Sequence, residues 1–406
     1  MNYSPDHSLS IPDRETGEIK KYIETSPGIW EAAPDSLVIL SRRFRMKYEV
    51  RRLLGYSSRQ AKCCRWRIPT KHVEIYRSIE FDKTFYSGLE ICSSVWLCPL
   101  CAAKISEKRV KELEQGIESA KAQGLWVQLL TLTFPHGLGD RLPVIKRKLL
   151  KAYSASMMSG KYGQKLRSEL GFTGTIRALE VTHGQNGWHP HIHVLIFTSN
   201  RLPLDMQLPV WVAAWKRACR LVSLPEPSDA HGCTLQNGSA AAAYVSKWGL
   251  AQEMAKAHLK KGRKKGASPW DLLAISAGDT WVDMPEYPQT RASDLWLDYA
   301  RSFKGERQLV WSKGLKNLLG VDIKTDEELA QEELETAARV YLITDQQWSW
   351  ILAARAEVQV LSIARDCPDA LDDFIRDLET SENYSSEPDL VERFSHRRGS
   401  SVWTPF

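Results

Sequence analysis

The chain has 406 residues, 43% of them apolar and 26% charged, with 8 cysteines, 10 histidines and a formal charge of +6. That is long enough for two or three domains with their own cores, and no apolar run reaches the ~18 residues expected of a transmembrane helix. The polar opening MNYSPDHSLSIPDRETGEIK has no apolar h-region, so no secretory signal and no disulfide framework are expected, and a reducing cytoplasm is the natural location.

Charge is unevenly spread. Residues 321–406 hold 8 Lys/Arg against 19 Asp/Glu, which leaves 47 against 30 in residues 1–320. A basic body with an acidic end points to nucleic acid as the partner of the body.

In chain order, residues 1–40 lack sustained periodicity and read as a loose leader. Residues 41–104 open with Arg42, Arg43, Arg45, Lys47, Arg51 and Arg52, which is either a helix laid against phosphates or an exposed helix with no partner. Cys63, Cys64, Cys92 and the run Cys98-Pro99-Leu100-Cys101 follow. A Cys-x-x-Cys turn offers two thiolates to one tetrahedral ion, and a structural zinc takes four ligands. Cys92 supplies a third, and either Cys63 or Cys64 the fourth. Zinc would then fold this segment into a knuckle. Zinc deaminases pair His-x-Glu with Pro-Cys-x-x-Cys. His72-Val73-Glu74 fits the first half, but Leu97 stands where the proline belongs and Cys92 is left without a role.

Helical spacing over Ile105–Gln123 ends at Gly124, and Leu125–Phe134 reads as a buried strand. One or two helices occupy 143–170. Thr173–His183 and His189–Phe197 then read as two strands of a hairpin across the turn Gly184–Gly187. Alternation in the second strand puts His189, His191 and His193 on one face, where two imidazoles two residues apart suit a single cation. Across the hairpin Glu180 shares that face and is the candidate third ligand, whereas His183 has the wrong parity. Asp205–Val222 reads as an amphipathic helix and His231–Leu235 as a short edge strand. Gly238–His258 reads as a helix with Tyr244 and Lys247 one turn apart. The basic run Lys260, Lys261, Arg263, Lys264 and Lys265 behind it is suited to a phosphate backbone. Residues 266–320 carry further helices. Residues 321–406 form an acidic, helical end with a capping box at Thr325.

Together these parts describe phosphodiester chemistry. A divalent ion on two histidines and a carboxylate polarises a phosphate oxygen. A tyrosine helped by a lysine attacks phosphorus and keeps the bond energy in a 5′-phosphotyrosyl link.

Thr131-Leu132-Thr133-Phe134-Pro135-His136, His189-Pro190-His191-Ile192-His193 and Tyr244-Val245-Ser246-Lys247 resemble, in order, the three motifs of the HUH endonucleases. The likeness is nearest to the rolling-circle replication initiators of plasmids. Cys92–Cys101 resembles the cysteine segment that precedes the nuclease in such proteins, and residues 304–315 resemble a further segment of theirs. The resemblance implies an α+β fold, a central antiparallel sheet flanked by helices, with an N-terminal zinc knuckle and a helical C-terminal region. It makes 105–265 the nuclease core and 266–320 its helical extension. It implies Mg²⁺ or Mn²⁺ on His191 and His193, Tyr244 as the nucleophile that nicks a replication origin, and Lys247 as its assistant. It also implies Cys63 rather than Cys64 as fourth zinc ligand beside Cys92, Cys98 and Cys101. The implied partners are single-stranded or supercoiled plasmid origin DNA and a host helicase and polymerase, with no membrane. Some relatives carry a glutamate or second tyrosine four residues before the nucleophile, where this chain has Ala240. A conjugative relaxase or single-strand transposase shares the chemistry, and a non-catalytic zinc-dependent DNA-binding regulator would explain the cysteines without the histidines and tyrosine.

Overall fold

A computed structural model describes residues 8–12, 19–26, 29–32, 35–78, 83–158, 161–237, 266–279, 282, 284–331 and 337–380. The chain divides into two compact units, residues 1–92 with 332–406, and residues 93–331.

The first unit starts with β1 (Ser8–Pro12), β2 (Ile19–Ser26) and β3 (Ile29–Ala32), a three-stranded antiparallel sheet. Composition had marked this stretch only as a loose leader. The basic segment is a helix, α1 (Asp35–Leu54), followed by the short α2 (Arg59–Lys62). Several of its charges are turned inward. Lys47 is buried and donates to the carbonyls of Gln60 and Ala61. The Arg51 guanidinium is buried over the Tyr56 ring at 4.3 Å, and Arg52 pairs with Glu49 at 2.6 Å. The hairpin β4 (Val73–Ser78) and β5 (Lys83–Ser87) completes the N-terminal part.

The second unit is built on a six-stranded antiparallel sheet. It opens with α3 (Pro99–Ala122), then β6 (Trp126–Leu132), α4 (Leu142–Lys151), a single π-turn over Ala152–Met157, and α5 (Lys161–Glu169). The hairpin follows as β7 (Phe172–Gly184) and β8 (Gly187–Thr198), joined by Gln185-Asn186. Next come α6 (Leu204–Leu221), β9 (Cys233–Asn237), β10 (Gly266–Ala267), α7 (Pro269–Ser276), α8 (Gln289–Phe303), β11 (Leu309–Trp311), α9 (Leu315–Leu318) and α10 (Asp326–Gln331). The strand order is β10-β7-β8-β6-β9, with β11 also pairing with β7. This is the α+β architecture, a central antiparallel sheet flanked by helices, that the sequence led us to expect.

Side-chain alternation sorts this sheet into two faces. On one, Val127, Leu129, Ile176, Ala178, Leu195 and Phe197 pack with Val110, Leu113 and Ile117 of α3 and Leu315 of α9. Their burial is the main hydrophobic stabilisation of this unit. Ile192, Val194 and Ile196, of opposite parity, are fully buried too, and α4 packs against β8 and α6 against β9.

The chain then returns to the first unit. β12 (Ala338–Ile343) pairs with β4 to give the order β12-β4-β5, and α11 (Asp345–Ala353), α12 (Glu357–Asp366) and α13 (Leu371–Thr380) follow. Val73, Ile75, Ile343, Trp348, Ile351, Val360 and Ile375 form one apolar cluster. Residues 337–380 of the acidic segment are thus built into a core with the first ninety residues.

Candidate active site

The apolar face of the large sheet turns polar along β7 and β8. Register places Glu180 opposite His191 and Ala178 opposite His193, with Thr131 of β6 on the far side of His193. Because one residue of slip would invert every face, this pairing is what brings the three groups together. The Glu180 Oε2 lies 3.3 Å from His191 Nε2 and 3.6 Å from His193 Nε2. One ligand atom from each of the three residues falls within 4.8 Å of the others.

The outer hydrogen bonds settle which ring nitrogens face inward. His191 Nδ1 sits 3.2 Å from the His189 carbonyl, an acceptor only, so Nδ1 donates there and Nε2 is the nitrogen left facing Glu180. His193 Nδ1 is 2.9 Å from the Thr131 hydroxyl, which likewise leaves Nε2 toward Glu180. Burial alone would raise the Glu180 pKa. Hydrogen bonds from His191 and His193, together with their charge, more than offset it and hold the carboxylate well below its ordinary range. Two imidazole nitrogens and a buried carboxylate oxygen make a donor set that fits Mn²⁺ and similar divalent ions.

The neighbouring histidines are of another kind. The His189 ring lies 4.7 Å from the His136 ring and 5.1 Å from that of His191, and its Nε2 has no hydrogen-bond partner among the described residues. Burial, then His191 and His136, push its pKa down to about 3. His183, on the opposite face as its parity requires, bonds to Tyr287 through Nδ1 at 3.0 Å and packs edge-on to Trp188. It has a structural role. Thr131 and His136 lie in the first motif, but only the register shows what they touch.

The second cluster is Cys63, Cys92, Cys98 and Cys101, all buried, with sulfurs within 4.8 Å of one another. Cys98 is the N-cap of α3 and Pro99 starts the helix, so the first helical turn presents Cys98 and Cys101 together. Cys63 follows α2 as its C-cap. Of the two residues the sequence left open, Cys63 is in the cluster, and the Cys64 sulfur stands 3.7 Å from it. Four thiolates so gathered suit a structural Zn²⁺.

Residues 86–355 match the family model described as "Replication protein". The chain belongs to this replication protein family. It is a Rep-like member of the HUH endonuclease superfamily. Among curated proteins, "Protein rep" of Streptomyces lividans is 29% identical over a match covering 58% of this chain and 65% of the relative. "Neomycin resistance protein" of Streptomyces cyanogenus is 27% identical, covering 32% of this chain and 39% of the relative. The chain therefore spans less than two thirds of the length of either relative. No solved structure matches it. Tyr244, Lys247 and the basic residues Lys260, Lys261, Arg263, Lys264 and Lys265 lie outside the described residues, as does Ala240. No helix among the described residues is long and apolar enough to cross a membrane.

Proposed function

We propose that this Rep-like protein is a site-specific single-strand DNA endonuclease and strand transferase that nicks a plasmid origin to start rolling-circle replication. The observation that carries the reading is the Glu180–His191–His193 triad, whose Nε2 atoms are turned toward the carboxylate by bonds at Nδ1. A divalent ion held there supplies Lewis-acid polarisation of a non-bridging phosphate oxygen. In the proposed reaction the Tyr244 oxygen attacks phosphorus, the Tyr–O–P bond forms and the P–O3′ bond breaks. The 5′-phosphate stays on the tyrosine, and the 3′-oxygen leaves as a hydroxyl after taking up a proton. Lys247, three residues after Tyr244 in the sequence, offsets charge on the phenolate and on the pentavalent phosphorus. Thr131 and the His189 carbonyl keep the imidazoles oriented throughout.

The test is a covalent trap. Purified protein is incubated with Mn²⁺ and supercoiled DNA bearing its own origin, then denatured and examined for DNA attached to protein. Attachment is expected in wild type and is lost in Tyr244→Phe. An adduct persisting in that variant overturns the nucleophile, and binding without any adduct in wild type favours the zinc-dependent regulator.

A further inference from the structure

Beyond the triad, the second unit carries a second feature with a nucleic-acid character. The loop after β6 passes beside His189, the neighbour of the triad, at His136, whose ring lies 4.7 Å from the His189 ring, and reaches α4 five residues later at Arg141. A chain that short spans at most about 18 Å. At its end a groove of about 250 Å³ opens between the start of α4 and Ser223–Pro225, with Arg141 and Lys148 as its cations, Asp140 as its one carboxylate and Val144, Leu224 and Pro225 as apolar walls.

The helix behind the groove has two distinct sides. Leu142, Ile145, Lys146 and Leu149 are buried, and Lys146 is consumed by Glu306 at 2.6 Å. Val144, Arg147, Lys148 and Lys151 share the outward side, at helical spacing, and no acidic residue lies on α4. Arg141, Arg147 and Lys151 are exposed, whereas Lys148 is partly covered and donates to the Ser223 carbonyl at 2.8 Å. Asp140 also lines the groove and keeps its charge there, whereas Glu226 is paired with cations. Asp140 accepts from the Gly137 amide at 2.8 Å, and Glu226 is held by Arg220 and by Lys216 at 3.5 Å. Arg141, Arg147, Lys148 and Lys151 thus outnumber the one carboxylate of the groove, in a row that starts within about 18 Å of His136 and continues along the helix.

We propose that this groove, continued by Arg147 and Lys151, seats the single-stranded DNA flanking the cleaved phosphate through contacts to its phosphates. The proposal rests on the nuclease reading above, because a nicked origin leaves a single strand to be held. The groove has room for an unstacked base between cations, which single-stranded DNA offers and a paired duplex does not.

The test separates holding from cutting. Binding of a fluorescent dT20 oligonucleotide is measured by anisotropy without divalent metal, in the Tyr244→Phe background, from 50 to 200 mM KCl. Arg141→Gln/Arg147→Gln/Lys151→Gln is expected to bind at least tenfold more weakly at 50 mM. Its salt slope should fall by about 2, from three lost contacts at about 0.7 each. The control Lys313→Gln/Arg376→Gln, which removes exposed cations elsewhere, should stay within twofold of the parent. Affinity and slope unchanged in the triple variant, or equal loss in the control, overturns the groove. So does a loss seen with a duplex of the same length but not with dT20. None of these measurements depends on nicking, so an absent adduct in the covalent trap strikes the nuclease reading and not this binding result.

Discussion

Cys64 illustrates how much a single residue can carry. Its φ of +52° lies in the left-handed region, which costs a residue with a Cβ about 1–2 kcal/mol. Its amide is tied to the Glu90 carbonyl at 2.7 Å, which holds the backbone there and turns Cys63 into the cluster. Cys64→Gly should therefore keep its zinc and melt no lower than wild type, while Cys63→Ser should lose the metal. Zinc analysis of the two purified variants decides it, and equal loss in both would show that Cys64 is a ligand. His183 offers a pH test. Burial first, then Arg291 and His136, push its pKa down to about 4, against about 6.5 in the unfolded chain. Below pH 6.5 the unfolded state takes up a proton that the folded state refuses. Stability from this group is thus complete above 6.5 and declines as pH falls toward 4. Discounted for solvent screening, the loss is on the order of 1–2 kcal/mol. Urea titrations at pH 7.0 and 4.5 should show a smaller drop in His183→Gln than in wild type. An equal drop would mean that the imidazole is not shielded.

Elements show which parts of the fold are legible in the sequence and which are not. The β7–β8 hairpin could be read because alternation and a two-residue turn are local signals, and the same alternation put Glu180 across from His191. The contact between α3 and β11 could not be, since nothing near Gly116 announces Trp311. A Cβ on Gly116 would sit 2.8 Å from the Trp311 ring. Replacing a mid-helix glycine by alanine ordinarily gains about 1 kcal/mol, but overpacking a rigid ring costs about 1–3 kcal/mol. Gly116→Ala should therefore destabilise by about 1 kcal/mol in urea unfolding, and a gain in stability would show that the ring yields. Thr131 is the corresponding test at the site. Thr131→Val keeps the β-branched shape on β6 and removes the hydroxyl that orients His193. Loss of such an outer-sphere bond should weaken Mn²⁺ binding about 10–100-fold with little change in melting, measured by calorimetric titration. Unchanged affinity would mean that the strand alone positions the imidazole.

Over the whole molecule, the largest departure from a linear reading is the first unit, where β4 pairs with β12 from beyond residue 330. No local pattern in β4 names a partner so distant, and composition saw only an acidic end. Net charge was similarly blind to Lys47 and Arg51, which are buried in that unit. Cysteine and histidine spacing, by contrast, exposed both candidate metal sites, because ligand chemistry constrains residue type more tightly than packing does. The two sites should respond differently to removal of metal. Four buried thiolates hold zinc with an apparent ~10–16 kcal/mol that belongs to folding itself, whereas imidazoles with a carboxylate exchange harder ions more readily. A brief treatment with dilute EDTA should abolish adduct formation, leave the melting temperature unchanged and be reversed by Mn²⁺. A mercurial thiol reagent should meet exposed Cys367 first and then the cluster, while burial pushes the Cys219 and Cys233 thiols up to about 12 and keeps them inert. Release of about one zinc per chain should accompany that second phase, with a fall in melting temperature of roughly 10 °C or more, as loss of several kcal/mol requires. His191→Ala/His193→Ala should release the same zinc with the same fall. Zinc leaving without any change in melting would mean that the cysteine cluster binds metal but does not hold the fold.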